Sequence, residues 1–496
     1  MHDTRRYTLP RLVALSAQVT SSWVAVDRPA EDPPGAEYAG AVSEQDRPAP
    51  VANPSWLGRR VELRIESVAH GGHCVARHEG RVIFVRHTLP GEHVLAEITE
   101  DRGGSFCRAD AVEVLASSPD RMTPPCPYAH PGGCGGCDFQ HVALAAQRGL
   151  KADVVAEQLR RLAALEWSVT VEELGSGAPD GNERAGLGWR RRVRFAVAPD
   201  GQLGLRAHRS HTVIALDHCP IGAPGVGDSS VLGARWIGVD EVEVAADDEG
   251  EVAVLSHREV PVRQSRDRKQ PAGKQPAGRQ HGRGTRTRTS TEHVAGPELL
   301  RYSAGGRHFE ISAGSFWQTH PRAADVFTEQ VLAAAELAAG EKALDLYAGS
   351  GVFTAALAGA VGPSGQVLGL EAAGGAVRDA ASNLAALPWA RVRRAAVTGA
   401  AVTEAVTELD GVAVIVLDPP RTGAGREVMS AMLSAAGGSG PARPRAIVYV
   451  ACDPAALARD IRTATDEGWQ LAGLRAFDAF PMTHHVECIA VLRPVA

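Results

Sequence analysis

From about residue 297 to the end, the chain alternates strand-like and helix-like segments, and this alternation restricts the fold more than any other feature. ADVFTEQVLAAAELAAG, VFTAALAGAV and GAVRDAASNLAAL have helical patterning, and between them KALDLYAG and GQVLGLEA read as strands. VAVIVLDPP is a near-continuous apolar run, as expected of a strand covered on both faces. AIVYVACDP and HHVECIAVL follow as further strands. Such alternation predicts an α/β, Rossmann-like domain over 297–496 with a mostly parallel sheet. Its sites should lie at the carboxyl ends of the strands.

The upstream chain is different. In 55–117, VELRIESVA, GHCVARHEG, RVIFVRHTLPGEHVLAEITE and CRADAVEVLA read as short strands broken by glycine pairs and a Pro-Gly turn. That spacing predicts a small β-barrel of the OB type. Residues 118–296 form a central α+β domain with a cysteine cluster, one helix and mixed strands. Within it, 262–295 is low-complexity and basic, a disordered insertion that is either an RNA-touching arm or a solvated linker. Residues 1–54 are rich in Pro, Ala, Asp and Glu and read as a disordered extension.

Composition removes several classes. A net charge of -6 does not by itself mark a nucleic-acid binder. There is no run of about 18 apolar residues that could span a membrane, and the N-terminal stretch lacks the apolar core of a secretory signal. Eight cysteines in 496 residues are too few for a disulfide scaffold. Their clustering points to metal binding or catalysis in a reducing compartment, so the cytoplasm is expected.

Five motifs carry chemistry. In DLYAGSGVF, a strand leads through Asp345 and Tyr347 into a turn in which Gly349 and Gly351 let backbone approach a ligand closely. Glu371 ends the next strand, where a carboxylate can take ribose hydroxyls. The third glycine of a dinucleotide fingerprint is missing, which suits a nucleoside such as S-adenosylmethionine; another Rossmann-type cofactor stays open. VLDPPR ends a buried strand with Asp418 and Arg421 on a stiff loop, facing a crevice or forming a surface ion pair. In YVACDPAALARDI, Cys452 ends a strand, Asp453 can cap the next helix and Pro454 can occupy its first position. The helix dipole would then favour a thiolate at Cys452, although a lone cysteine is more often a small core residue. In FPMTHHVECIAVL, Glu487 interrupts an apolar strand. It is either a carboxyl with a raised pKa, suited to general base work, or an exposed residue of an edge strand. The fifth motif is Cys126-x7-Cys134-x2-Cys137 with Cys219 far downstream, a set that can hold a [4Fe–4S] cluster or a structural zinc.

Together these motifs resemble the RNA 5-methyluridine methyltransferase family, in particular the bacterial 23S rRNA uracil-C5 methyltransferases, over roughly residues 55–496. The resemblance implies that EGRVIFVRHTLPGEHV belongs to a TRAM domain, an OB-fold RNA binder. It implies that Cys126, Cys134, Cys137 and Cys219 hold a [4Fe–4S] cluster, although the first spacer is longer than is usual in the family. SFWQTHP matches the family's F-x-Q motif, which implies that Gln318 lies near cofactor and target; His320 stands where Asn is common. Tyr347, Glu371 and Asp418 are implied as S-adenosylmethionine contacts, with Ala348 where the family usually has Cys. Cys452 matches the nucleophile and Glu487 the general base.

The chemistry suits those residue types. C5 of uracil is a poor nucleophile. Thiolate addition at C6 makes C5 nucleophilic, and after methyl transfer a base removes the C5 proton so that the thiolate can leave. The expected partner is RNA, bound by a monomer with no membrane contact. The TRAM-plus-cluster layout is closer to the rRNA enzymes, with tRNA as the alternative substrate. A non-catalytic RNA-binding or assembly factor is the reading from another class, and the intact Cys452, Glu487, Asp418 and Gln318 set speaks against it. A cytosine-C5 enzyme would also use thiolate addition, but the strand-borne Glu487 and the cysteine cluster favour uracil.

Overall fold

The computed structural model describes residues 55–175, 186–261, 287–435 and 443–495. The expected extension over 1–54 and most of the basic insertion, 262–286, lie outside them.

The first sheet contains β1 (Arg60–Arg64), β2 (Ser67–Ala69), β3 (His73–His78), β4 (Arg81–Arg86), β5 (His93–Glu100) and β6 (Phe106–Ala116), in the order β1-β5-β6-β4-β3-β2. β4 and β6 pair in parallel, and the other pairings are antiparallel. β1 and β2 are two halves of one bent run. Ile65 N–H donates to Glu92 O beside β5, and Glu66 N–H donates to Val75 O on β3, so the sheet closes on itself. Alternation sends Val61, Leu63, Ile83, Val85, Val94, Ala96 and Ile98 into one buried interior. This is the barrel expected over 55–117.

The second sheet is antiparallel, in the order β10-β9-β8-β11-β12-β13. Its strands are β8 (Arg192–Val197), β9 (Leu203–Arg206), β10 (Val213–Ala215), β11 (Glu241–Ala246), β12 (Val252–Pro261) and β13 (Thr287–Ala295). β13 corrects one expectation. The last quarter of the supposed disordered insertion, TRTSTEHVA, is an edge strand paired with β12 from Thr287 opposite Pro261 to Ala295 opposite Val254. All nine residues are exposed, so composition resembled a linker, yet its threonines suit a pleated strand. Because Pro261 and Thr287 are register partners, replacing 262–286 by a two-residue Asn-Gly turn should preserve the hairpin. That deletion is expected to leave turnover at saturating RNA nearly unchanged and to weaken RNA affinity chiefly at low salt. Steady-state kinetics across a salt series check this.

A hairpin of β14 (Leu299–Ala304) and β15 (Arg307–Ser312) leads into the third sheet, ordered β18-β17-β16-β19-β20-β22-β21-β7. Its strands are β7 (Val171–Glu173), β16 (Lys342–Leu346), β17 (Gln366–Glu371), β18 (Ala390–Arg394), β19 (Val414–Leu417), β20 (Ala446–Ala451), β21 (Trp469–Asp478) and β22 (Glu487–Pro494). β16 to β20 run parallel, and β22 enters antiparallel between β20 and β21. Every residue of β19 and β20 is buried, as the apolar runs foretold.

The segment ahead of this sheet departs from the expected boundaries. α1 (Leu144–Gln158) and β7 were assigned to the central domain over 118–296, but β7 pairs in parallel with β21 of the third sheet. α1 serves two cores: Leu150 and Val154, with Phe139 and Val142 just ahead of the helix, join the barrel core, while Val155 joins Leu344 and Ile461 in the C-terminal core. A fully buried ion pair, Lys151 to Asp478 at 2.6 Å, ties the helix to β21. Lys151 Nζ also donates to Phe480 O at 3.0 Å, so the buried ammonium has two partners.

Candidate active site

The predicted residues converge because their strands end at one edge of the sheet. After β16, Tyr347 adopts a left-handed conformation (φ 62°) and turns the chain into the glycine loop. Gly349 (φ 54°) has no neighbour within 4 Å of where a Cβ would stand, so this loop borders open space. Glu371, the last residue of β17, is fixed by two backbone donors: Gly349 N–H at 3.0 Å and Ala373 N–H at 2.7 Å. Past β19, Asp418 opens the Pro-Pro-Arg loop, and Asp460 anchors the far side of that loop. Asp460 accepts from Ala424 N–H at 2.8 Å and from the Tyr449 hydroxyl at 2.7 Å.

Cys452 follows β20, and α7 (Pro454–Asp466) begins two residues later. Asp453 caps that helix by accepting Ala456 N–H at 2.8 Å, and Pro454 takes the first position, as the motif predicted. β22 runs the other way, so its amino end reaches the edge where the parallel strands have their carboxyl ends. Cys488 stands opposite Ala451 in the ladder, which sets Glu487 beside Cys452. Glu487 is 3% exposed on an interior strand, so the exposed edge-strand reading does not hold.

One cavity of about 1020 Å³ is lined by Gln318, Tyr347, Glu371, Asp418, Cys452 and Glu487 together. Arg421, expected to face a crevice or form a surface ion pair, also lines this cavity, and sequence reasoning passed over two other lining residues, Phe316 and His485. Phe316 is 66% exposed at this cavity. Arg421 and His485 meet across it at 3.2 Å. The signals of Phe316 and His485 were present in SFWQ and THHVE, but nothing local says which side chains of a motif turn inward. His320 is buried, stacks on Trp189 with ring centroids 6.0 Å apart, and accepts Arg322 N–H at 3.2 Å. Its pKa is pushed down to about 4, chiefly by burial, so it is a neutral packing residue.

The electrostatics reverse one expectation. Burial pushes the Cys452 thiol up to about 12, the nearby Glu487 and Asp418 charges push the same way, and Arg421 opposes them. The dipole of α7 was expected to favour a thiolate, but desolvation and two carboxylates outweigh a helix terminus. Glu487 itself is held well above the usual carboxylate range, first by burial and then by Asp418, with Arg421 again opposing. Burial pushes Asp418 up to about 7. Asp345 is also pushed to about 7, chiefly by burial; one of its oxygens accepts the Thr354 hydroxyl at 2.6 Å and the other has no partner. Asp345 is buried and does not line the cavity, but Asp418 and Glu487 do, so this end is rich in acceptors and receptive to a cationic ligand.

Cys126, Cys134, Cys137 and Cys219 line a second, small cavity, and Gly136 and Leu205 border both. All four are free thiols. Burial raises the pKa of each, and the charge of Cys219 raises the other three further. Gly136 N–H donates to Cys134 Sγ, and Gln140 Nε2 donates to Cys137 Sγ, both at 3.4 Å. Among the described residues, no group of three or more His, Cys, Asp or Glu is arranged to hold a metal ion.

Comparison with known proteins bears on this site. Residues 280–494 match the family model described as tRNA (Uracil-5-)-methyltransferase, and residues 54–112 match the TRAM domain. An uncharacterized RNA methyltransferase of Streptomyces avermitilis is 44% identical over 450 residues, covering 89% of this chain and 99% of the relative. The 23S rRNA (uracil(1939)-C(5))-methyltransferase RlmD of Shewanella amazonensis is 29% identical, covering 88% and 97% of the two chains. Among solved structures, the Pyrococcus abyssi tRNA (uracil-54, C5)-methyltransferase in complex with S-adenosyl-L-homocysteine shares the fold. Its TM-score is 0.58 at 21% identity, over 87% of this chain and 99% of that one.

Proposed function

Since the chain belongs to the RNA uracil-C5 methyltransferase family, we propose that it methylates a uracil of 23S rRNA at C5 through a covalent bond between Cys452 and C6. The observation that carries this reading is the meeting of Cys452 and Glu487, from neighbouring strands of opposite direction, in one cavity with Asp418. Cys452 is the nucleophile. Its thiol is protonated at rest and passes its proton to Asp418 as the uracil arrives, which leaves Glu487 for the later step. The sulfur adds to C6, and C5 gains nucleophilic character. Once C5 carries the transferred methyl group, Glu487 removes the C5 proton, and the thiolate departs as the C5–C6 double bond returns.

S-adenosylmethionine fits the acceptor-rich end of the cavity and supplies an activated methyl group there. Glu371, preset by two backbone donors, suits its ribose hydroxyls. Tyr347, Gln318 and Asp418 complete that wall, and Asp418 offers negative charge to a sulfonium or ammonium. Phe316, exposed at the cavity, offers a ring on which an unstacked base can lie.

The four cysteines support a [4Fe–4S] cluster. Their buried thiols surround one cavity, Cys219 raises the pKa of the other three, and bound iron would offset that cost by holding them as thiolates. The relative over nearly the whole chain that acts on 23S rRNA favours rRNA as substrate. Mapping 5-methyluridine in RNA from a strain lacking the gene tests the assignment. One modified 23S position should disappear and return when the gene is restored. Loss from tRNA would change the substrate, and no loss in any RNA would overturn the reading.

A further inference from the structure

The β2–β3 turn of the barrel, His70-Gly71-Gly72, reaches the flanks of both proposed catalytic residues. His70 Nε2 lies 3.2 Å from Asp453 Oδ2, and Asp453 directly follows Cys452. The His70 ring also meets the ring of His484 edge-on, with centroids 6.4 Å apart, and His484 lies three residues before Glu487. Two glycines permit this approach. Gly71 and Gly72 have φ of 94° and 76°, and a Cβ on Gly72 would stand 2.7 Å from the Asp138 side chain. Asp138 in turn accepts His484 Nδ1 at 2.6 Å and His484 N–H at 3.2 Å. A turn of the N-terminal barrel is thus wedged between the two catalytic segments of the C-terminal sheet.

We infer that His70 is a positioning residue for Cys452: it engages the free carboxylate oxygen of Asp453 and so fixes the turn that carries the thiol. Asp453 uses its two oxygens separately. Oδ1 caps α7 through Ala456 N–H, and Oδ2 faces the barrel. The cap alone leaves the side chain free to pivot about one hydrogen bond, and His70 supplies a second fixed point. The RNA-binding barrel therefore forms part of the frame of the active site.

This inference rests on Cys452 being the nucleophile, so its test has one arm that needs RNA and one that does not. With RNA carrying 5-fluorouridine at the target, the C5 fluorine cannot leave as a proton does, and the adduct accumulates. His70→Ala should slow single-turnover adduct formation about tenfold, the scale of one hydrogen bond to a charged group, with the KM for RNA and for S-adenosylmethionine unchanged. His70→Gln keeps a donor and should recover most of the rate. In an Asp453→Ser background the cap survives but the second oxygen is gone, and His70→Ala should then cost nothing more. In the other arm, alkylation of Cys452 by iodoacetamide, read on its peptide by mass spectrometry, should accelerate in His70→Ala and return to normal in His70→Gln. Unchanged adduct and alkylation rates in His70→Ala, or a change confined to the KM for RNA, would overturn the inference. An equal loss in the Asp453→Ser background would do the same. If the unaltered chain forms no adduct at all, the functional reading fails, while the alkylation arm still decides whether His70 governs the thiol.

Discussion

Cys452→Ala is expected to abolish methyl transfer, by roughly a millionfold, the loss seen when the nucleophile of a covalent mechanism is deleted. It should also abolish any covalent protein–RNA species. Glu487→Gln should behave differently. The amide is nearly isosteric and the site is interior, so the strand should hold, and attack and methylation can proceed. Elimination cannot, because an amide does not take up the C5 proton. Turnover should fall by about 10²–10⁴-fold, and a methylated adduct should accumulate and survive a denaturing gel. The rate of adduct formation in this variant should also rise with pH. The resting thiol is pushed up to about 12, so its ionised fraction grows as pH rises, and Asp418, pushed up to about 7, becomes a competent acceptor over the same range. Normal turnover in Glu487→Gln, or an adduct in Cys452→Ala, would remove the residue concerned from the mechanism.

Cys137→Ala is expected to have the largest effect outside the catalytic cavity. Chain purified without oxygen should be brown and hold about four irons, as a [4Fe–4S] protein does, and the variant should lose both properties. Metal–thiolate sites can contribute on the order of 10 kcal/mol to folding, so a large fall in melting temperature should accompany the loss. The damage should also reach the active site. Asp138 follows Cys137, its backbone N–H donates to Met482 O at 3.0 Å, and its carboxylate holds His484 on the approach to Glu487. Stoichiometric zinc, or a variant with full activity and unchanged melting, would refute the cluster.

The C-terminal architecture was legible because its signals are local. Buried parallel strands are continuous apolar runs, and an Asp-Pro pair marks a helix start, so β19, β20 and the cap of α7 could be read from neighbouring residues. Five of the six candidate residues could be gathered on paper because each stands at or next to the end of a strand at one sheet edge; Gln318, in the loop after β15, came from its motif, and the structure puts all six in one cavity. What could not be read depends on distant partners. β7 is three residues long and has no period of its own; its pairing with β21 makes it a strand. β13 has the composition of a linker and is a strand because β12 offers it an edge. The resting state of Cys452 was misjudged for the same reason. The helix dipole is visible in the local sequence, whereas the desolvation and the Glu487 and Asp418 charges that outweigh it come from segments far along the chain.

The reversed direction of β22 also bears on how the molecule comes together. β21 and β7 have no bond to β20 and join the sheet through β22, the last strand in the chain order. Until that strand docks, the edge carrying Asp478 has no place in the sheet, and Lys151 of α1 lacks the carboxylate that compensates its burial. The same event brings Glu487 to Cys452. In the finished sheet β22 is therefore a keystone. Its insertion locks the edge strands, gives α1 its anchor and completes the catalytic pair in one step, and a partly folded chain has a thiol but no neighbouring base.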